Sequence, residues 1–340
     1  MSEFQYNLPE ERIAKFPPKE RGTTKLLVLD RQKGSFKHRK YSDCVEYMKE
    51  GDVVVLNETK VEKRRTYFLD SKERIHEVLF LNQQQDGNWF CLIKKSKQLN
   101  EKAILSNLVC KEIQLQIVKK SEKGVIVKLL SDLSPEEVFE KIGHTPIPPY
   151  MKRDDTEEDF ERYNTVFGKH FGSVASPTAS LNLTENLLEK IEKKGIKVAK
   201  VELEVGWGTF APVREENIED YEIHEEEIFL SQTSADIMNE TIKNGGDVWA
   251  FGTTVARLLE SCATKDGFVE AYEGKTNLFI YPGYEWKIVN RLITNFHMPD
   301  SSLILLVSSF AGKELIKKAY GEALENEYMF LSYGDSMLII

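Results

Sequence analysis

The sequence lacks the features that mark disulfide-stabilised, zinc-binding and membrane-spanning proteins. Its four cysteines, Cys44, Cys91, Cys110 and Cys262, lie far apart and form no CxxC pair. We therefore expect free thiols, no zinc site and no cysteine–histidine catalytic pair. The longest apolar candidate run, Leu303–Phe310, has the length of a buried strand and is too short to cross a bilayer. With no signal-peptide pattern at the first residues, we expect a cytoplasmic protein with no membrane partner.

Nucleotide-binding signatures and an overall positive charge are also missing. Neither GxxxxGK[ST] nor GxGxxG occurs, so the sequence offers no standard phosphate-binding loop. The formal net charge of −9 argues against nucleic-acid binding by overall electrostatic attraction. Residues 61–150, however, hold 15 Lys and Arg against 12 Asp and Glu. A local basic patch leaves RNA binding open without requiring it.

The 340 residues, 41% hydrophobic and 30% charged, are typical of two soluble globular domains. Residues 1–60 and 151–340 alternate predicted strands and helices, which indicates a discontinuous α/β main domain with a mixed sheet and flanking helices. Between residues 61 and 150, short β-rich segments separated by turn signals predict an inserted small all-β barrel domain.

Several element predictions bear on the site or on the fold. A strand is predicted at Asp52–Leu56, where the continuous apolar run Val53–Leu56 indicates burial on both faces. A short helix is predicted at Pro9–Lys15, and Ser134 with Glu137 forms a capping box at the start of another. Helix Thr254–Cys262 should follow strand Asp247–Phe251, and the next predicted strand is Asn277–Tyr281.

Three polar, glycine-bearing stretches could carry chemistry: Gly172–Leu181, Val205–Phe210 and Gly252–Thr254. The last lies where a predicted strand meets a predicted helix. Such a junction places free N–H groups and hydroxyls at the carboxyl end of a sheet, where α/β proteins hold ligands. Glycine and threonine also make ordinary turns and caps, so each stretch alone leaves both interpretations open.

Two histidines stand out as acid–base candidates. His224 lies among carboxylates in Tyr221–Glu227, and His297 lies in Thr294–Pro299, just before a predicted buried strand. Loop histidines also serve in caps and turns, so a structural role remains open for both. A group of aromatic residues could stack a base or belong to the core: Phe279, Tyr281, Tyr284 and Trp286.

Taken together, motifs along nearly the whole chain resemble the S-adenosylmethionine:tRNA ribosyltransferase-isomerase family of queuosine biosynthesis. The residues that carry the resemblance occur in order: Tyr6–Glu10, Leu26–Asp30, Gly51–Asn57, Gly143–Arg153, Ser173–Thr178, Val205–Phe210, Gly252–Thr254 with Arg257 and Glu260, Ile280–Gly283, Thr294–Pro299 and Tyr333–Leu338.

The resemblance implies an α/β main domain with an inserted β-barrel, and an unusual reaction. A base removes a C5′ proton acidified by the sulfonium of S-adenosylmethionine, and the aminomethyl amine of a 7-deazaguanine base at the tRNA wobble position attacks C1′. Adenine and methionine leave, and the ribosyl group becomes the epoxycyclopentane of epoxyqueuosine. The resemblance implies no cofactor and no metal, with S-adenosylmethionine as co-substrate and position, desolvation and acid–base groups supplying catalysis. We expect a monomer.

The sequence departs from the family pattern at several positions. A family histidine and glycine are replaced by Asn182 and Ser180, and the motif Asn-Asp-Thr-Arg becomes Asn57–Lys60, which exchanges a bidentate guanidinium for a point charge. Two further charged family residues are replaced by Ala211 and Asn290. One alternative is therefore a paralogue that keeps the fold but acts on another substrate or does no chemistry. A non-catalytic RNA-binding module is a third alternative, which the acidic host domain disfavours.

The predicted site residues fall into three groups. The catalytic candidates are His297, His224 and Glu58. The substrate-binding candidates are Asn57, Thr59, Lys60, Thr178, Asn182, Thr209, Thr253, Thr254, Arg257, Tyr281 and Asn295. Residues 57–60 are expected to lie at the junction of the two domains. The candidates for tRNA phosphate contacts are Lys63, Arg64, Arg65 and Arg153.

Overall fold

The computed structural model describes residues 2–206, 213, 215 and 217–340. The chain divides into two compact units: unit 1 comprises Met1–Lys60, Pro148–Arg153 and Arg162–Ile340, and unit 2 comprises Val61–Ile147 and Asp154–Glu161. One change of unit follows residue 60. Further along the chain, residues 148–153 belong to unit 1 and residues 154–161 to unit 2.

The strands in chain order are β1 (Lys25–Asp30), β2 (Ser35–Lys40), β3 (Val53–Asn57), β4 (Thr59–Val61), β5 (Arg65–Leu69), β6 (Ile75–Gln83), β7 (Trp89–Ile93), β8 (Ile104–Asn107), β9 (Gln114–Lys120), β10 (Val125–Leu130), β11 (His170–Ser173), β12 (Lys197–Leu203), β13 (Glu226–Leu230), β14 (Val248–Phe251), β15 (Tyr272–Thr276), β16 (Arg291–Asn295) and β17 (Ser336–Ile339). The helices are α1 (Pro135–Ile142), α2 (Glu157–Arg162), α3 (Glu185–Lys193), α4 (Gln232–Lys243), α5 (Thr253–Ser261), α6 (Ser302–Ala311) and α7 (Lys313–Glu325).

The described residues of unit 1 form a nine-stranded mixed sheet in the order β15-β13-β12-β3-β14-β16-β17-β1-β2. Strands β12, β3, β14 and β16 run parallel in its centre, and β17 runs antiparallel to β16. Strand β3 is buried throughout. Its Val53 and Val55 face one apolar layer and its Val54 and Leu56 face the other. A strand that is covered on both faces requires such an unbroken apolar run. The mixed sheet and its helices confirm the predicted fold class of the main domain.

Unit 2 is a closed six-stranded barrel of β5 to β10, as the sequence predicted. Alternate side chains such as Phe68, Val78 and Leu115 fill its interior, in keeping with the two-residue period of a strand. Helix α1 packs Phe139 against this core. The predicted capping box is present, because Ser134 accepts from the Glu137 amide and Glu137 accepts from the Ser134 amide.

Two element predictions are wrong in unit 1. The predicted helix Pro9–Lys15 is only a short 3-10 helix, Glu10–Arg12. Ile13 instead forms a parallel bridge with Phe330, so the neighbouring backbone groups bond across the fold rather than within a helix. The predicted strand Asn277–Tyr281 is irregular, and the strand in this region is β15, which pairs with β13.

The apolar run Leu303–Phe310 belongs to helix α6 and not to a strand. Ser301 caps this helix by accepting from the Ile304 amide. Short apolar runs do not distinguish a buried strand from a buried helix, and here the cap decides for the helix. No helix among the described residues is long and apolar enough to cross a membrane.

Candidate functional site

A cavity of about 320 Å³ opens in unit 1 at the carboxyl ends of the parallel strands. Residues that follow β12, β14 and β16 contribute to its wall, which places it where parallel α/β sheets bind ligands. Its volume lies in the range of small-molecule sites. The lining residues are Pro149, Tyr150, Ser176, Pro177, Thr178, Ala179, Val205, Gly252, Thr253, Thr254, Thr294, Asn295, Phe296, His297, Met298, Asp300, Ser301, Leu303, Leu331 and Ser332.

The junction of β14 and α5 supplies one wall of this cavity. Gly252 has a φ of 112°, a conformation that side chains rarely adopt, so glycine allows the chain to turn sharply from the strand into α5. Helix α5 begins at Thr253 with no side-chain cap. The hydroxyl of Thr254 is buried without a hydrogen-bond partner, as is that of Ser176 in the cavity wall. Buried hydroxyls without partners are costly, so they indicate a place where a ligand can bind.

The end of β16, the strand next to β14, supplies another part of the wall. The Thr178 hydroxyl donates to Oδ1 of Asn295 at 2.9 Å, and Nδ2 of Asn295 donates to the backbone oxygen of Asp335 at 3.4 Å. These bonds fix the amide orientation of a buried side chain. The cavity therefore brings together four predicted substrate-binding residues: Thr178, Thr253, Thr254 and Asn295.

His297 is the predicted catalytic residue that lies in this cavity, and it is held from several sides. Its Nε2 lies 2.8 Å from the Thr294 hydroxyl, and its backbone N–H donates to the Tyr320 hydroxyl at 3.0 Å. Its backbone oxygen accepts from the Tyr6 hydroxyl. Burial lowers the pKa of the imidazole from 6.5 to about 3, so the ring is neutral near pH 7. A neutral ring can accept or donate a hydrogen bond and does not repel a cationic ligand.

Arg257 lies beside the cavity rather than in its wall. It is 8% exposed and forms a buried ion pair with Glu226, a residue that also accepts from the Gly206 amide at 3.1 Å. Desolvation lowers the pKa of Arg257 to about 10. With Thr253 and Thr254 it borders a second, smaller pocket that shares those two residues with the cavity.

The residues of the Asn57–Lys60 motif lie outside the cavity wall. The Asn57 amide bonds to the backbone N–H and oxygen of Leu203, and Oδ1 also accepts from the Thr59 hydroxyl at 3.1 Å. Asn57 and Thr59 are buried and tie the ends of β3 and β12 together. The Lys60 ammonium lies 4.9 Å from the centre of the Phe171 ring.

Glu58 belongs to a separate cluster of charged side chains. Its carboxylate lies 3.5 Å from the Lys169 ammonium and 3.8 Å from that of Lys200. Among the residues that the structure describes, ligand atoms of Glu58, His170 and Glu202 lie within 4.8 Å of one another, a grouping that could hold a cation. Burial raises the pKa of Glu202, and the carboxylate of Glu58 raises it further. The two lysines already supply positive charge to Glu58.

The remaining predicted site residues lie apart from the cavity or outside the description. His224 is exposed, Asn182 is buried, and Tyr281 is partly buried with its ring 5.2 Å from that of Phe279. Thr209 lies outside the described residues.

The predicted phosphate contacts already bond within their own units. In unit 2, Lys63 lies 3.3 Å from Glu140, Arg64 pairs with Glu62, and Arg65 is 7% exposed and donates to the backbone oxygen of Ile147. In unit 1, Nε of Arg153 donates to the backbone oxygen of Lys15 at 2.7 Å. The bonding and burial of Arg65 leave little of it for an external phosphate.

Sequence reasoning did not single out Tyr150 and Ser332 as site residues. The Tyr150 hydroxyl lies 2.5 Å from the Ser332 hydroxyl, and both side chains line the cavity. Burial raises the pKa of Tyr150 to about 12, so it stays protonated. The signal was the proline-rich segment Thr145–Tyr150, whose stiffness fixes where the tyrosine lies. Ser332 directly precedes Tyr333–Leu338, a motif that carries the family resemblance but from which no site residue was chosen.

Comparisons with known proteins agree over the whole chain. The model of the family described as "Queuosine biosynthesis protein" matches residues 1–339. Proteins named S-adenosylmethionine:tRNA ribosyltransferase-isomerase match at 42% identity in Caldanaerobacter subterraneus subsp. tengcongensis and at 43% in Chlorobaculum parvum, each over 100% of this chain and 99% of the relative. The crystal structure of S-adenosylmethionine tRNA ribosyltransferase from Thermotoga maritima is 31% identical, with a TM-score of 0.56, covering 99% of this chain and 100% of that one. The chain therefore belongs to the queuosine biosynthesis protein family, as an enzyme of its ribosyltransferase-isomerase type.

Proposed function

We propose that the cavity binds S-adenosylmethionine and that the chain transfers and isomerises its ribosyl group onto 7-aminomethyl-7-deazaguanine at the wobble position of tRNA. The products are epoxyqueuosine in tRNA, adenine and methionine. The observation that carries this proposal is the cavity itself. It lies at the carboxyl edge of the parallel strands, and it combines unpartnered buried hydroxyls with a neutral histidine.

The proposed ligand suits the chemistry of the cavity wall. Much of the wall is apolar, with Val205, Phe296 and Leu303 available to pack against an adenosyl group. The hydroxyls of Ser176 and Thr254 can bond its ribose or base, which satisfies groups that otherwise lack a partner. Because His297 is neutral, it does not oppose entry of the sulfonium.

His297 is the residue that we propose for proton transfer. A base with a pKa of about 3 takes up a proton poorly on its own. Removal of the C5′ proton, however, leaves an electron pair beside the ring, and this pair stabilises the imidazolium that forms. The Thr294 hydroxyl at Nε2 orients the ring for this transfer. His224 and Glu58 are the other proposed acid–base groups, and both lie outside the cavity wall.

We propose further that the reaction needs neither a metal nor a prosthetic group, since S-adenosylmethionine brings the leaving groups and the acidified proton. The cluster of Glu58, His170 and Glu202 gives this proposal a direct check. Turnover should be unchanged after dialysis against EDTA. Loss of turnover that Mg²⁺ or Mn²⁺ restores would contradict the proposal.

The decisive assay is release of adenine from S-adenosylmethionine, with purified protein and tRNA that carries the aminomethyl-deazaguanine. Adenine should appear only with the modified tRNA, together with epoxyqueuosine in the digested RNA. If a folded preparation releases none beside an active relative, the chain is a diverged paralogue with another substrate.

A pair of isosteric substitutions tests whether S-adenosylmethionine occupies the cavity. Thr254→Val removes a cavity hydroxyl that has no partner in the free protein, so stability should change little while affinity for S-adenosylmethionine falls about tenfold. Thr241→Val is the matched control, because its hydroxyl is also buried without a partner but lies in α4, away from the cavity. Equal affinities in the two variants, measured by calorimetry, would place the ligand elsewhere.

A further inference from the structure

A strongly basic segment of unit 1 has no place in the site described above. Residues 19–40 contain eight Lys and Arg against two acidic residues, in a chain whose net charge is −9. The segment includes β2, which is the last strand of the nine-stranded sheet and is exposed along most of its length. We call Lys37, Arg39 and Lys40 of this strand the edge cations.

The edge cations are exposed and are not neutralised by acidic side chains among the described residues. No carboxylate among the described residues lies within 4.0 Å of their charged groups. The Arg39 guanidinium donates to the backbone oxygen of its neighbour His38, at 2.8 Å. The nearby Lys25, by contrast, donates to the backbone oxygens of Asn326 and Glu327. The edge cations therefore keep their charge available for an external anion.

The register of the sheet places Arg39, one of the edge cations, at the same edge as the cavity. Asn295, in the cavity wall, pairs with Ser336, which pairs with Leu26, which in turn pairs with Arg39. Three strand spacings separate Asn295 from Arg39, a distance of about 14 Å. At a rise of about 3.4 Å per nucleotide, this corresponds to about four stacked nucleotides.

We propose that the edge cations bind backbone phosphates of the tRNA a few nucleotides from the base that reacts at the cavity. The inference rests on the proposed function, because it requires the reacting base to lie at this edge. It explains how an acidic chain can hold a polyanion, since exposed cations without acidic partners attract phosphates locally. Such contacts position the RNA without reading its sequence.

The test is the salt dependence of tRNA binding by the variant K37Q/R39Q/K40Q. Each lost phosphate contact should reduce the slope of log affinity against log salt concentration by about 0.7–0.9, or by about 2 for the three. Between 50 and 200 mM salt, the wild type should then lose about 20-fold more affinity than the variant. Fluorescence anisotropy with unmodified tRNA measures this without requiring turnover, so the result does not depend on whether the proposed reaction occurs.

A matched control is K287Q/K317Q/K318Q, which removes three exposed lysines that also lack carboxylate partners among the described residues. It should keep the wild-type slope. With the modified tRNA, the edge variant should raise KM for tRNA while kcat at saturation and affinity for S-adenosylmethionine stay within twofold. The charge-keeping variant K37R/K40R should behave as the wild type.

Cations on an edge strand also prevent sheets from associating edge to edge, and this role alone would leave tRNA binding unaffected. A slope for K37Q/R39Q/K40Q equal to that of the wild type and the control would therefore overturn the inference. If light scattering shows that the triple variant self-associates, the three single substitutions test the same point, each with an expected slope change of about 0.7–0.9. A reduced slope for K37Q/R39Q/K40Q, in a protein that releases no adenine, would refute the proposed function and still assign the edge cations to tRNA binding.

Discussion

The buried neutral His297 should make folding sensitive to acid. Its pKa is lowered to about 3 in the folded chain, against 6.5 when hydrated, so the unfolded chain binds more protons between these values. The contribution of His297 to the free energy of unfolding is therefore fully present above about pH 6.5, and it is lost as the pH falls towards 3. At pH 5.0, protonation of the unfolded imidazole favours unfolding by about 2 kcal/mol, a value that hardly changes if the folded pKa is 4 instead of 3.

The substitution His297→Gln tests this magnitude because glutamine keeps a hydrogen-bonding group near Thr294 but does not titrate. Urea unfolding at pH 7.5 and pH 5.0, followed by circular dichroism and tryptophan fluorescence, gives the loss of unfolding free energy for each protein. The wild type should lose about 2 kcal/mol more than the variant between the two pH values. Other titrating groups cancel in this difference, and the exposed His224→Gln is the control for loss of a histidine. Equal losses in wild type and His297→Gln would refute the reasoning that burial keeps the ring neutral.

Three further predictions follow from contacts in unit 1. His297→Ala should abolish adenine release yet leave affinity for S-adenosylmethionine within severalfold, and retained turnover would remove His297 from the mechanism. Glu260→Gln should lower the unfolding free energy by about 3 kcal/mol. The Glu260 carboxylate accepts from the backbone amides of Lys287, Ile288 and Val289, and glutamine cannot replace both oxygens. The control Glu285→Gln, at an exposed position, should change the unfolding free energy little. Glu226→Gln should cost about 3–5 kcal/mol by leaving Arg257 buried without its counter-charge, and a thermal unfolding midpoint equal to that of wild type would contradict this.

Local sequence signals predicted the elements whose physics is local. The run Val53–Leu56 reads as a doubly buried strand because both faces of the sheet are covered, and Ser134 with Glu137 satisfies helix amides within one turn. Elements that depend on pairing with another segment were missed. Strand β2 is polar along most of its length and exists because it pairs with the preceding strand β1. The Ile13 bridge likewise depends on Phe330, more than 300 residues away.

The site could be predicted where a strand ends in a glycine or a polar turn. Gly252–Thr254 and Thr294–His297 follow parallel strands, and both stretches line the cavity. The Asn57–Lys60 motif also follows a parallel strand, yet Asn57 turns inward to bond with Leu203. Sequence position gives the edge of the sheet at which a residue lies, but the direction of its side chain depends on the neighbouring strand.

The departures from the family pattern lie outside the cavity wall where the structure describes them. Glu58 lies in the charged cluster, Lys60 lies against Phe171, and Ser180 and Asn182 are buried. At Asn290, Oδ1 accepts from the Val248 amide, a bond that an aspartate oxygen at this position could equally accept. These exchanges therefore leave Thr178, Asn295 and His297 in the cavity wall. This distribution favours the ribosyltransferase-isomerase over a paralogue that acts on another substrate, because a change of substrate should first alter the residues that touch it.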